Sequence, residues 1–202
     1  MASGQPTTIS YAILGQLSIR AHSAYELSRL GRRWRDVFWT TAESVVYAEL
    51  GNLVRHGLAT TEGQLHGRRR RAVYAISDDG RVALRAWLAV ESAPLVIRNE
   101  SMLKVLFADS GTKQDLLRAV GEIRAWAEDR LRDGREIATG YLDGSAPYTA
   151  RTPIVTLTFS YTWSMAQQML AWADEAEQEI AHWPDSGLPD TANLDVFRRA
   201  VS

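Results

Sequence analysis

Between residues 40 and 90 the spacing of apolar side chains changes period, and that change limits the fold more than any other feature of the chain. "TTAESVVYAELGNLVRHGLA" (40 to 59) repeats at the helical period, with Val46, Leu50, Leu53 and Val54 on one face, Thr40 or Thr41 as cap and Gly57 as stop. "LATTEGQ" and "RAVYAIS" then alternate as half-buried strands do, on either side of "LHGR", where Gly67 can supply a positive φ. "SDDGRVALRAWLAV" (77 to 90) returns to helix: Ser77 caps it, and Asp78 and Asp79 place negative charge at the positive end of its dipole.

Two further helices precede these. "ISYAILGQLS" (9 to 18) carries a stripe of Ile9, Ala12, Ile13 and Leu17. In "HSAYELSRLGRRW" Ser23 and Glu26 have capping-box spacing, Leu27 and Leu30 face inward, and Gly31 is a plausible stop, although "RRWRDVFW" can carry the helix further. The order helix, helix, helix, hairpin, helix describes a winged helix-turn-helix.

The hairpin's tip is "RRRR", Arg68 to Arg71. Residues 1 to 90 hold twelve arginines against seven acids, a balance of +5, whereas residues 91 to 202 hold eleven basic and seventeen acidic residues, a balance of −6. A basic first half points to an anionic partner. A wing of this kind meets a nucleic-acid backbone, so the expected partner is double-stranded DNA, with the arginines on phosphates. A solvated basic loop is the alternative.

Three segments together resemble the PadR family of bacterial transcription regulators. "SAYELSRL" (23 to 30) is similar to the family's second helix, with Tyr25, Glu26 and Leu27 at its core. "VYAELGNLVRHGLA" resembles the recognition helix, with Tyr47, Leu50, Leu53, Gly57 and Leu58 at the signature positions. "RRAVYAISDDGRVALRAWL" resembles the wing strand entering the fourth helix, through Tyr74, Ser77, Asp78, Asp79, Gly80 and Arg81. The chain departs from the family at Val45 and Val46, where small residues are common, so sequence preference is not carried over. "RNESMLKVLFADSG" (98 to 111) and "TFSYTWSMAQQMLAWADEAEQEIAHW" (158 to 183) resemble the C-terminal helices of longer members. The resemblance implies a homodimer held by those helices, a repressor on a palindromic operator, and often a small aromatic or drug-like effector.

The residues of the second half are compatible with that expectation. Leu116, Val120, Ile123, Ala127 and Leu131 repeat at a 3-4 spacing suited to a helical seam, and Phe159, Trp163, Ala166, Leu170, Ala173 and Ile180 form a second stripe. Pro153 marks the start of the last long helix and Pro184 its end. The fold expected is therefore mainly α: a winged helix-turn-helix of three helices plus a β-hairpin wing over 1 to 92, then an antiparallel helical dimerisation domain over 93 to 202. Trp126, Phe159 and Trp163, with Trp172, are candidates to line an effector pocket, since aromatic rings suit flat organic ligands. Packing in the core or dimer interface is the other account of them.

Other functions find little support. There are no cysteines, the four histidines lack metal-ligand spacing, and neither a glycine-rich phosphate loop nor a G-x-S-x-G elbow is present. No enzyme activity, cofactor or metal is expected. The N-terminus lacks signal-peptide character and no window is apolar enough to span a membrane, which points to the cytoplasm and no membrane partner. RNA or a protein as the winged helix's partner, and a regulator without effector, remain as alternatives.

Base contacts in such a fold come from the N-terminal part of the recognition helix, here Thr41, Ser44 and Tyr47, while Arg68, Arg69, Arg70 and Arg71 serve phosphates. Arg69→Ala is expected to weaken binding to every duplex alike and to lower the salt slope by about 0.9. A Ser44 substitution should instead reorder the preference among sequences. Anisotropy titrations on a panel of duplexes separate the two, and a reordered panel with Arg69→Ala would contradict the division.

Overall fold

A computed structural model describes residues 6–35, 42–66, 69–191 and 193–202 of the chain. Its elements fall into two compact units that divide between Pro94 and Leu95. The architecture is mainly helical with one small antiparallel sheet.

The first unit runs α1 (Thr8–Ile19), β1 (His22–Ser23), α2 (Ala24–Arg35), α3 (Glu43–Arg55), β2 (Ala59–His66), β3 (Arg69–Ile76) and α4 (Asp78–Leu88). Its core gathers Ile13, Leu14 and Leu17 of α1, Ala24 and Leu27 of α2, Val46, Leu50 and Leu53 of α3, Ala59 of β2 and Ile76 of β3. The inner face of α1 differs from the stripe expected: Ala12 is exposed, while Leu14 and Ser10 are fully buried. The hydroxyl of Ser10 is turned inward because it completes a capping box with Thr7 and donates to Glu49 on α3. Against the outer side of α1, Trp87 of α4 stacks on Tyr11 with centroids 5.0 Å apart and planes 8° from parallel.

The sheet has three strands, in the order β1-β3-β2, where the sequence suggested a two-stranded hairpin. The added strand is only two residues long and pairs His22 with Tyr74 and Ser23 with Val73. His22 is 1% exposed and neither ring nitrogen has a hydrogen-bond partner. Burial, and then the nearby Arg20 charge, hold its pKa below the ordinary value. The hairpin is also longer than the alternation implied: β2 extends to His66 and β3 begins at Arg69, so Leu65 and His66 belong to strand and not to turn.

Helix ends follow the capping chemistry in two cases and depart from it in two. Ser77 Oγ accepts from Gly80 N at 3.0 Å, capping α4 as expected. The expected Ser23–Glu26 box is formed as well, with Ser23 N donating to Glu26 Oε2 at 2.8 Å and Glu26 N to Ser23 Oγ at 3.3 Å. Gly31 does not stop α2, which continues to Arg35. At the start of α3 the cap position is Ala42, which supplies no side-chain bond, rather than Thr40 or Thr41, both outside the described residues.

The second unit comprises α5 (Glu100–Leu106), α6 (Lys113–Leu142), α7 (Thr152–Ala181) and α8 (Asp195–Ala200). The two 30-residue helices run antiparallel, and "IVTLTFSYT", β-branched though it is, lies within α7. Leu116, Val120, Ile123, Ala127 and Leu131 are all buried, as are Ala166, Ala173 and Ile180 opposite them. Arg124 crosses the seam, donating from Nε and Nη2 to both Glu177 oxygens at 3.0 and 2.8 Å and pairing with Asp174. At one end Lys113 Nζ donates to the carbonyls of Trp183, at 2.7 Å, and Ala181, at 3.2 Å, placing a cation on the C-terminus of α7. Pro153 sits in the first turn of α7, and the helix ends three residues before Pro184. No helix among the described residues is long and apolar enough to cross a membrane.

One backbone contact is tight enough to predict from. A Cβ added at Gly80 would lie 2.0 Å from the carbonyl oxygen of Leu58 and 2.9 Å from Ile76 Cγ1. Gly80→Ala is therefore expected to cost about 1–3 kcal/mol and to lower Tm by on the order of 10 °C, read by thermal unfolding. An unchanged Tm would mean that the corner between α3 and α4 is looser than described.

Candidate nucleic-acid interface

The site rests on α3. Val46, Leu50 and Leu53 face the core, which leaves Ser44, Ala48, Gly51 and Arg55 in one line on the outer surface, flanked by Val45 and Tyr47. Tyr47 is 51% exposed and Val45 37%. Of the residues expected at bases, Ser44 and Tyr47 are thus brought together on one outward face, while Thr41 lies outside the described residues.

The inner edge of α3 carries a chain of polar bonds that the apolar pattern did not reveal. Ser10 Oγ donates to Glu49, Asn52 Nδ2 donates to Glu49 Oε2 at 3.3 Å, and Arg55 Nη1 donates to Asn52 Oδ1 at 2.8 Å. The sequence signal was the i, i+3 spacing of Glu49, Asn52 and Arg55, which makes neighbours on a helix surface. Asn52 therefore has both halves of its amide engaged within the helix. Across the helix pair, Ser28 Oγ of α2 donates to Glu43 Oε1 at 3.4 Å.

The wing is set beside α3 by its base. Ser77 N donates to Leu58 O at 3.2 Å and Ser77 Oγ to Gly57 O at 2.6 Å, which joins the exit of β3 to the exit of α3. Gly57 itself has φ +70°, a left-handed conformation that turns the chain from helix into strand. From that base the ladder runs outward to Gln64↔Arg71, Leu65↔Arg70 and His66↔Arg69. The backbones of Arg69, Arg70 and Arg71 are thus on β3 at the far end of the hairpin, and Arg68 lies outside the described residues. Arg32, Arg33 and Arg35 form a second cluster in the sequence, at the end of α2.

In the second unit Phe159 and Trp163 stack, with centroids 5.6 Å apart, and Trp163 lies against Gly134 of α6, where a Cβ would meet its ring at 2.8 Å. Trp126 is half-buried on α6, and Trp172 packs with the cluster of Leu116, Val120, Ala173 and Ile180. A separate open cavity of about 640 Å³ is lined by Leu103, Lys104 and Phe107 of the α5 region and by Leu116, Arg118 and Glu122 of α6; the three aromatic candidates are not among its lining residues. Among the described residues no cluster of three or more His, Asp or Glu is placed to hold a metal ion.

The chain is similar to known proteins in sequence and in fold. Residues 97–181 match the family model described as "Virulence activator alpha C-term". Rv1176c of Mycobacterium tuberculosis, a probable transcriptional regulator, is 42% identical over 91 residues, covering 43% of this chain and 46% of that protein. PadR of Bacillus subtilis, a negative transcriptional regulator, is 28% identical over 109 residues, covering 53% of this chain and 60% of that protein. The chain spans about half the length of the curated relatives it matches. The crystal structure of B. subtilis PadR in complex with operator DNA has the same fold, with a TM-score of 0.69 at 22% identity over 86% of this chain and 99% of that one. The same protein in complex with p-coumaric acid gives a TM-score of 0.64 at 21% identity, over 87% and 100%.

Electrostatics at the α2 capping box yields a pH prediction. The Ser23 backbone N–H, and then the Ser23 hydroxyl and Arg20, hold the Glu26 carboxyl down at about 2, from an ordinary 4.5. A depressed carboxylate stabilises the fold above its unfolded pKa, and that contribution disappears as pH falls from 4.5 toward 2. Glu26→Gln should thus lose on the order of 1 kcal/mol at pH 7, the size of a capping contribution, because the Arg20 pair is solvent-screened. The gap between the two proteins should close as pH drops through that window. Parallel unfolding curves across it would remove Glu26 from the account.

Proposed function

We propose that this chain, similar in sequence to PadR of Bacillus subtilis and to Rv1176c and in fold to the PadR structures, is a PadR-family transcriptional regulator that binds DNA sequence-specifically. The observation that carries this reading is the pairing of an outward α3 face with a hairpin whose far end is built from Arg69, Arg70 and Arg71. Such a pair matches the two demands of duplex recognition: a helix for the major groove and a cationic arm for the backbone beside it. In this reading Thr41, Ser44 and Tyr47 face base edges or nearby phosphates, and Arg68 to Arg71 neutralise phosphates. The first unit is the DNA-binding domain.

The second unit is then the dimerisation domain. Leu103, Leu106 and Phe107 near α5, and Ile154, Leu157 and Tyr161 on α7, are exposed apolar side chains in numbers that favour a homodimer. A two-fold dimer reads a palindromic operator. Repression is supported by the negative regulation attributed to the B. subtilis relative. That relative's complex with p-coumaric acid supports a small aromatic effector, for which Trp126, Phe159 and Trp163 supply ring surface. The cytoplasm is the matching compartment.

The test is anisotropy of the full chain on the upstream region of its own gene against a scrambled duplex, each over a salt series. Binding to the upstream DNA should persist at salt concentrations that abolish binding to the scramble. Equal and equally salt-sensitive binding to both would reduce the arginines to nonspecific attraction.

A further inference from the structure

We infer that His22 makes the attachment of the wing acid-labile: a proton on its ring parts β1 from β3, frees the hairpin to swing and so releases the duplex. The release of DNA rests on the DNA-binding reading above, whereas the opening of the strand does not.

The join between β1 and β3 is short and well placed to matter. β1 consists of His22 and Ser23, which pair with Tyr74 and Val73, whereas β2 pairs with β3 along all eight of its residues. Ser23 also makes the box with Glu26 at the start of α2. The pairing therefore ties the hairpin to the helix-turn-helix at Val73 and Tyr74. That point lies between the corner at Ser77 and the arginines at 69 to 71. With β1 detached, the outer part of the hairpin loses this backbone tie and pivots about the corner.

His22 loads that join. It is 1% exposed, and among the described residues neither ring nitrogen has a hydrogen-bond partner. A neutral imidazole leaves one donor and one acceptor unmade, but an imidazolium leaves two donors and a full charge, which is far less tolerable under burial. The elements packed against β1 are α2 and β3. From α2 comes Glu26, whose charge favours a proton on His22. Its oxygens, however, already accept from the Ser23 backbone, the Ser23 hydroxyl and Arg20. From β3 the titratable neighbour is Tyr74, and Arg69 to Arg71 stand three or more residues farther along the strand. Arg20, on the segment leading into β1, opposes the proton. Burial first, and then Arg20, outweigh Glu26 and hold the ring's pKa below 6.5. Opening β1 hydrates the ring and restores its ordinary proton affinity, so acid favours the open form. The advantage of the closed form is complete above 6.5 and is lost as pH falls through the folded value.

Amide exchange of the full wild-type chain without DNA, from about pH 7.5 to about pH 5 and corrected for the intrinsic rate, reads the opening directly. The amides that join β1 to β3 should be less protected than those of Leu50 and Leu53 in the core. Their protection should fall about tenfold for each pH unit below 6.5. In His22→Leu that slope should flatten; if its melting curve shows that this variant does not fold, His22→Gln takes its place. For the DNA arm, a duplex selected by the full chain from a random-sequence library stands in for the natural operator. Over the same pH range and at constant salt, the wild type should lose about threefold more affinity than His22→Leu. His66→Gln, which removes the histidine of the wing strand β2, should respond as the wild type does. Protection at the join equal to that of Leu50 and Leu53 at every pH, or a slope that survives without His22, would overturn the inference. An acid loss of DNA that disappears with His66 instead would overturn the release. A library that enriches no sequence would overturn the DNA-binding reading and the release with it, while exchange still decides whether the strand opens.

Discussion

The carbonyl groups of Gly57 and Leu58 hold the corner on which the first unit depends. Leu58 O receives Ser77 N, Gly57 O receives Ser77 Oγ, and Gly80 passes so close to Leu58 O that no side chain fits between. Through these contacts the end of α3, both strands of the hairpin and the start of α4 meet at one place. The same serine caps α4, so one hydroxyl both donates to the helix-to-strand turn and accepts from the next helix. A recognition helix and a wing act on one duplex only if their relative angle is held, because a misplaced contact is lost to water. Here the angle is set by main-chain groups, which have little freedom to adjust.

Charge and shape are divided between the parts of the unit. The far end of the hairpin carries the arginine run, while the outward line of α3 carries Ser44, Ala48, Gly51 and Arg55, with Tyr47 beside it. Along one edge of α3 the polar side chains also bond to one another: Ser10 donates to Glu49, Asn52 to Glu49 and Arg55 to Asn52. The second unit follows another logic. Its seam is apolar, Arg124 fixes the pairing of α6 with α7 through two carboxylates, and Lys113 closes one end. Ion pairs as exposed as these add little to stability on their own.

Much of this was legible because helical and strand periods are local. The core face of α3, the seam of α6, the box at Ser23, the cap at Ser77 and the proline at the start of α7 all follow from spacing within one element. What spacing cannot convey is pairing between distant segments. β1 is two residues long, too short for any period, and exists because Tyr74 and Val73 pass beside it. Ser10 is no part of the apolar stripe of α1, and it is Glu49 of α3, distant in sequence, that gives its hydroxyl a partner on the inner side. Gly31 failed as a stop because glycine ends a helix only where the chain turns left-handed, as at Gly57 and not in the middle of α2. At the candidate interface, the outward placement of Ser44 and Tyr47 could be read from the period, and the Glu49, Asn52 and Arg55 bonds from their i, i+3 spacing, but the bond from Ser10 that anchors Glu49 could not.

The most direct test of the account is amide hydrogen exchange of the full chain, alone and with its selected duplex. DNA should slow exchange in residues 43–55 and across the 59–76 hairpin, where the helix and the basic strands face it. Protection confined to residues 95–202, with the first unit unaffected, would contradict the assignment of the DNA face to α3 and the wing.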